Sequence, residues 1–167
     1  MSETVFDCRV ISNFALAGAM GVIEGLFKNK AVITDFVAAE VMRGIQAGHS
    51  ELEDVLKAER AGWLKRAGLG TADERRLFGS LSRSLGLGEA SSIAIAKGRG
   101  SAFASDDRVA RAEAAALGIS LTGTLGILTK ATRTGVCDLD TADGHLARMV
   151  KAGFFSPVRS ISEIVPD

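Results

Sequence analysis

Short apolar runs alternate along the chain with longer stretches in which apolar and polar residues recur at helical spacing. Val5-Phe6 with Val10-Ile11 reads as a first short strand interrupted by Asp7, followed by Ser12-Asn13 and a helical stretch, FALAGAMGVIEGLF. Ala31 to Thr34 is β-branched and too short for a helix, so it predicts a second strand. Thr34 or Asp35 caps the helix DFVAAEVMRGIQAG, which stops at the glycine near residue 48, and SELEDVLKAERAG is amphipathic, with Leu52, Val55 and Leu56 on one face. Trp63-Leu64 reads as a strand. In LGTADERRLFGSLSRSLG, Thr71 and Glu74 stand three apart as a capping box opening a helix. EASSIAIAKG reads as a buried helix, Ala102 to Ala104 as a strand, Arg108 to Leu117 as a helix and Ile119 to Leu121 as a strand. LGILTKATRTG and TADGHLARMVKAG, the latter closed by Gly153, complete the series as helices.

Short apolar strands alternating with helices predict an α/β fold with a mainly parallel central sheet, flanked by helices and joined by right-handed crossovers. No repeat, linker or low-complexity segment interrupts the series, and both prolines fall in the last eleven residues, so a single domain over residues 1–167 is expected. With 47% hydrophobic and 24% charged residues the chain reads as compact and soluble, not disordered. Basic and acidic residues balance at 20 each, so no bulk charge advertises nucleic acid or an anionic membrane, although separated patches remain compatible with that balance. Cys8 and Cys137 lack metal or redox spacing and read as reduced core residues. MSETVFDC has no basic region followed by an apolar one, and no apolar run approaches the ~18 residues of a membrane span, so a cytoplasmic protein without membrane contact is expected.

Ligands of parallel α/β sheets bind outside the carboxyl ends of the strands, which makes acids placed there the first candidates for chemistry. Asp7 sits at the end of the first strand, Asp106 and Asp107 follow the strand Ala102 to Ala104, Glu40 lies within the otherwise apolar FVAAEVM, and Glu89 opens a helix after Gly88. Each has a plain alternative: Asp7 as a turn former, Glu40 as a solvent-facing residue, Glu89 as a partner of the helix dipole, and Asp106-Asp107 as an N-cap pair. Taken together, oxygen-only donors without histidine or cysteine suit Mg²⁺ or Mn²⁺ better than zinc. A carboxylate cluster holding one or two such ions activates water for in-line attack on a phosphodiester, which is nuclease chemistry.

The stretches VFDCRVISNFALAG, VAAEVMRGI, LGLGEASSIAIA, SDDRVARAEAAALGI and TGTLGIL resemble, in their order and spacing, the PIN-domain family. The likeness extends from about Val5 to Phe155 and is greatest to a PIN-related group with a glycine-glutamate helix start and a double aspartate. That resemblance implies a metal site of Asp7, Glu40, Glu89 and one of Asp106 or Asp107. Ser105, two residues before Asp107, favours Asp107 as the ligand, while alignment on the first aspartate favours Asp106. Asp7, Glu89 and the 106/107 pair would hold Mg²⁺ or Mn²⁺, and Glu40 would orient the attacking water or hold a second ion. The implied activity is that of a metal-dependent endoribonuclease acting on RNA. The resemblance further implies the toxin of a toxin–antitoxin pair, whose partner is an antitoxin protein. Arg9 departs from the family pattern, which commonly has a small polar residue there. Its guanidinium either binds phosphate or neutralises a carboxylate in the metal's place, and the second case leaves a PIN-fold module that binds RNA or a protein without cutting.

GLGEAS nearly matches a dinucleotide fingerprint but lacks a preceding strand, and reads better as the tight turn before Glu89. TGTLG reads either as a phosphate-binding helix start or as capping by Thr122 or Thr124. Arg75, Arg76, Arg83, Lys97, Arg99, Arg108 and Arg111 surround two of the acids in sequence and form either solvated faces or a phosphate-positioning rim. His49 and His145 read as surface residues, and no serine or cysteine nucleophile is paired with a histidine. A receiver-like phosphoacceptor would carry its adjacent acids early in the chain, whereas here they come late. The apolar stretch Met20 to Phe27 offers a surface for a homodimer.

Overall fold

A computed structural model describes residues 2–165, so the outermost positions of the expected domain, Met1, Pro166 and Asp167, lie outside it. Five strands form one sheet: β1 (Thr4–Phe6), β2 (Ala31–Thr34), β3 (Leu64–Ala67), β4 (Ala102–Ala104) and β5 (Leu121–Thr122). Their order is β3-β2-β1-β4-β5 and every pairing is parallel, with Val5 opposite Val32 on one side and Phe103 on the other. Alternate residues serve opposite faces, as the pleat requires. Phe6, Ile33, Leu64 and Ala104 enter the core beneath α1 (Cys8–Leu16), α2 (Met20–Phe27), α3 (Asp35–Gln46), α4 (Glu53–Ala61), α8 (Thr124–Arg133) and α9 (Leu139–Lys151). Val5, Val32 and Phe103 enter a second core, covered by α5 (Ala72–Leu81), α6 (Leu87–Arg99) and α7 (Arg108–Ala116). Both faces are therefore covered, which is why β1 and β2 are buried along their whole length. The architecture is the expected α/β fold with a central parallel sheet.

Several boundaries differ from the pattern reading. β1 stops at Phe6, and Val10 and Ile11 belong to α1, where with Phe14 and Ala15 they form one buried helical stripe. The cause is Asp7, whose carboxylate accepts the Val10 amide at 2.8 Å and so begins a helix where the apolar residues alone suggested a continuing strand. The stretch 14–27 contains a break at Gly18, whose φ of +66° turns α1 away from α2 by 120°. β3 begins at Leu64 and runs through the exposed Lys65 and Arg66, charged residues that suit an edge strand and mask it from an apolar pattern. β5 is only Leu121–Thr122, because Ile119 folds back to close the end of α7 through its amide on Ala114.

The α2 residues Met20, Val22, Ile23, Leu26 and Phe27 are buried in the chain's own core, so the stretch that suggested a dimer surface is already spent. Among the described residues no single helix is long and apolar enough to cross a membrane. The capping box forms with a shift of one residue: Thr71 Oγ1 accepts the Glu74 amide, but the Glu74 carboxylate accepts the Gly70 amide at 2.6 Å. That carboxylate also meets the Arg99 guanidinium at 3.0 Å and is 2% exposed, so it ties the start of α5 to the end of α6. The Arg99 bond holds the Glu74 carboxyl below its ordinary range. A lowered carboxyl pKa stabilises the fold above the unfolded value of about 4.3 and loses that contribution as pH falls through the folded value. Glu74→Gln is therefore expected to lower the urea midpoint at pH 7 and to approach wild type near pH 3; a pH-independent difference would contradict this role.

Candidate active site

The connections out of β1 and β4 leave toward opposite edges of the sheet, so the crevice beyond their carboxyl ends is the switch point of the topology. Asp7 lies there. Its amide donates to the Ala104 carbonyl at 3.0 Å, carrying the β1–β4 pairing one residue beyond the strands. Its carboxylate accepts the Val10 amide and a hydrogen bond from Ser105, whose Oγ in turn accepts the Asp107 amide at 3.1 Å. Asp7 is 2% exposed, and burial pushes its carboxyl up to about 7. The Ser105 and Val10 hydrogen bonds oppose that rise, while the negative charges of Asp106 and Glu89 add to it.

Glu40 on α3 and Glu89 in the first turn of α6 join Asp7, Cys8, Arg9 and Gly86 around a cavity of about 150 Å³. The two helices are pinned together by Thr34, which caps α3 through the Val37 amide and meets the Ser91 hydroxyl at 2.8 Å. Burial raises the Glu89 carboxyl, and the charge of Asp107 raises it further; Glu40 adds to this, while the Gly86 backbone and Arg9 act in the opposite sense. Gly88 leaves room for this approach: the atoms nearest to a Cβ placed there are those of the Glu40 carboxylate, which would have to shift. GLGE is thus entered from α5 and not from a strand, and its glycine accommodates an acid, which removes the dinucleotide reading.

The adjacent aspartates cap two different helices. Asp107 starts α7, accepting the Ala110 amide at 2.8 Å. Asp106 turns to α8, where Thr124 donates its amide to Oδ1 at 2.9 Å and its hydroxyl to Oδ2 at 2.5 Å, with Asn13 Nδ2 in turn donating to the same hydroxyl at 3.0 Å. Neither Thr122 nor Thr124 caps α8 through its own side chain; the helix start is taken by a carboxylate from 18 residues away. Gly123 leaves room for it, since a Cβ there would sit 2.6 Å from Asp106 Oδ1. The bonds of Asn13 to Thr124 and of Thr124 to Asp106 escaped sequence reading because the partners lie far apart along the chain. Arg111 also proves structural, donating to the Ser105 and Thr122 carbonyls at 2.7 and 2.8 Å.

Other candidates separate from the crevice. Lys97 and Arg99 sit at the opposite end of α6 from Glu89, bonded to Leu117 and Glu74, and Arg76 pairs with Asp73 on α5. Of the seven cations proposed for a rim, Arg108 lies beside the acids with its side chain exposed, and Arg9 joins it from α1. Cys8 is half-buried, packs against the core as expected and also lines the cavity; burial pushes its thiol up to about 12. Cys137 is likewise half-buried and free. His49 is exposed, and His145 is half-buried beside Arg148 on α9.

An acidic crevice at the switch point of a parallel α/β sheet agrees with the family comparison. A family model described as a PIN domain matches residues 3–167. The chain belongs to the PIN-domain family. No curated protein and no solved structure is significantly similar to it. As a PIN domain the chain has a nuclease fold, and PIN-domain nucleases generally use divalent metals. The donors in this PIN domain fit such an ion by chemistry, being carboxylate oxygens whose repulsion raises Asp7 and Glu89. Among the described residues no three acidic, histidine or cysteine groups are close enough to enclose an ion by themselves. An ion bound there would complete its coordination with water or substrate oxygens.

Two outcomes follow from this geometry. Between about pH 4 and pH 7 folded Asp7 keeps a proton that the unfolded chain has released, so its contribution to metal-free stability falls with rising pH, by up to about 1.4 kcal/mol per unit. Asp7→Asn, which can still cap α1, flattens that limb in urea titrations run in EDTA from pH 4 to 8. Gly88→Ala gains about 0.5–1 kcal/mol of helix stability in a Glu40→Ala background but loses that gain against the native Glu40, a coupling that a double-mutant cycle measures directly.

Proposed function

We propose that this PIN domain is an endoribonuclease dependent on Mg²⁺ or Mn²⁺, with Asp7, Glu89 and Asp107 holding the ion in part through bridging waters. The supporting observation is the convergence of five acids, Asp7, Glu40, Glu89, Asp106 and Asp107, on one crevice, where their charges act on Asp7 and Glu89. Asp7 and Asp107 each give one carboxylate oxygen to a helix start, through Val10 and Ala110. Asp106, with both oxygens on Thr124, adds charge and fixes the loop after β4. A bound dication would neutralise the phosphate oxygens and lower the pKa of water toward neutrality. Glu40, which lines the same cavity as Asp7, would orient such a water and accept its proton. Arg9 receives the phosphate at the mouth of the crevice.

The alternative, in which Arg9 replaces the metal and leaves a binding module, finds less support: among the described residues Arg9 makes no ion pair with any of the five acids. A toxin role, with an antitoxin as partner, extends the proposal on family resemblance alone, and a small adjacent gene encoding a DNA-binding protein would support it. The enzymatic reading is tested by incubating labelled single-stranded RNA with protein stripped in EDTA and reloaded with Mn²⁺ or Mg²⁺. Cleavage is expected only after reloading, and Asp7→Asn, Glu89→Gln and Asp107→Asn each lower it on the order of 100-fold, the scale of losing one key electrostatic group. Absence of metal-dependent cleavage, together with no metal-induced rise in melting temperature, would sink this reading.

A further inference from the structure

A groove of about 450 Å³ leads away from the acids along α1 to the segment after α9, bordered by Arg9, Asn13, Asp106, Asp107, Arg108 and Phe155. Phe155 is 93% exposed, whereas the other large apolar side chains counted as exposed range from 37% to 56%. Phe154, its neighbour, packs against the core, so the backbone that carries the Phe155 ring is anchored. The same residue borders a second cavity of about 420 Å³, which Asp106 also lines. Among the described residues neither Arg9 nor Arg108 is tied into an ion pair, and both guanidiniums are exposed along this groove.

Exposed cations flanking a solvated aromatic face are complementary to one chemistry in particular. Single-stranded nucleic acid offers phosphates to the cations and an unpaired base to the ring, and stacking of this kind tolerates any base because each has a π-face. A duplex cannot use such a platform, since its base faces are already covered by neighbours. We propose that Phe155 is the stacking platform for an unpaired base of an RNA strand, with Arg9 and Arg108 holding the adjoining phosphates and the scissile bond lying toward Asp7. The assignment deepens the ribonuclease reading and rests on it for the identity of the strand.

Anisotropy of a labelled single-stranded RNA in EDTA tests the groove without catalysis. Phe155→Ala is expected to weaken binding about tenfold or more, and Phe155→Trp to preserve it, both with unchanged melting temperature given the exposure of the ring. Arg108→Ser weakens binding and reduces its salt dependence. A fully paired, blunt-ended RNA duplex should be insensitive to Phe155→Ala. Equal affinity of wild type and Phe155→Ala for the single strand, absence of RNA binding by wild type, or equal losses on the duplex would each overturn the proposal. A groove that takes a protein segment gives the first of these results. Phe155-dependent binding by a protein that never cuts would keep the platform and reject the nuclease, while metal-dependent cutting indifferent to Phe155 would do the reverse.

Discussion

The hydrogen bond from the Asp7 amide to the Ala104 carbonyl is the contact on which the crevice depends. It prolongs the β1–β4 pairing to the point where both chains leave the sheet, and so sets Asp7 directly against Ser105, Asp106 and Asp107. A register slip of one residue here would turn Asp7 to the other face of the sheet and exchange the two cores that Val5 and Phe6 separate. Because β1 is central and buried on both faces, that register is strongly specified.

From this pairing follows a solution to crowding like charges. Asp7, Asp107 and Asp106 each receive the amides of a different helix start, those of α1, α7 and α8, and Glu89 stands in the first turn of α6. Helix N-termini carry partial positive charge, so four of them facing one crevice offset the repulsion of the carboxylates. They do not offset everything that disfavours the charge, since burial first, and then the charges of Asp106 and Glu89, hold Asp7 far above the usual carboxylate range. In the proposed reading, the remaining deficit of positive charge would be met by a dication and the exposed Arg9.

Glycine serves the same crowding from the other side. Gly88 and Gly123 are each shaped around an acid, Glu40 and Asp106, which would otherwise meet a Cβ. The two glycine-containing stretches that look like nucleotide or phosphate loops in the sequence thus accommodate the protein's own carboxylates. Their backbones are close to negative charge already, which disfavours a phosphate at either glycine.

Much of this was present in the amino-acid order. The β-branched run at 31–34, the Thr71 cap and the helix-spaced stretches are local signals that act through neighbouring residues, and they marked the α/β alternation and placed acids at strand ends. Local pattern failed where two outcomes share one composition: Val10-Ile11 suits a strand or a helix, and only the Asp7 cap decides it. It failed also at β3, whose Lys65 and Arg66 belong to an edge. The sequence by itself determined which residues carry charge, which are small and which prefer each backbone conformation. Tertiary structure alone decided that Asp106 caps α8 and not α7, that Gly88 faces Glu40 and that Met20 to Phe27 is interior, because those contacts join segments that only the parallel crossovers bring together.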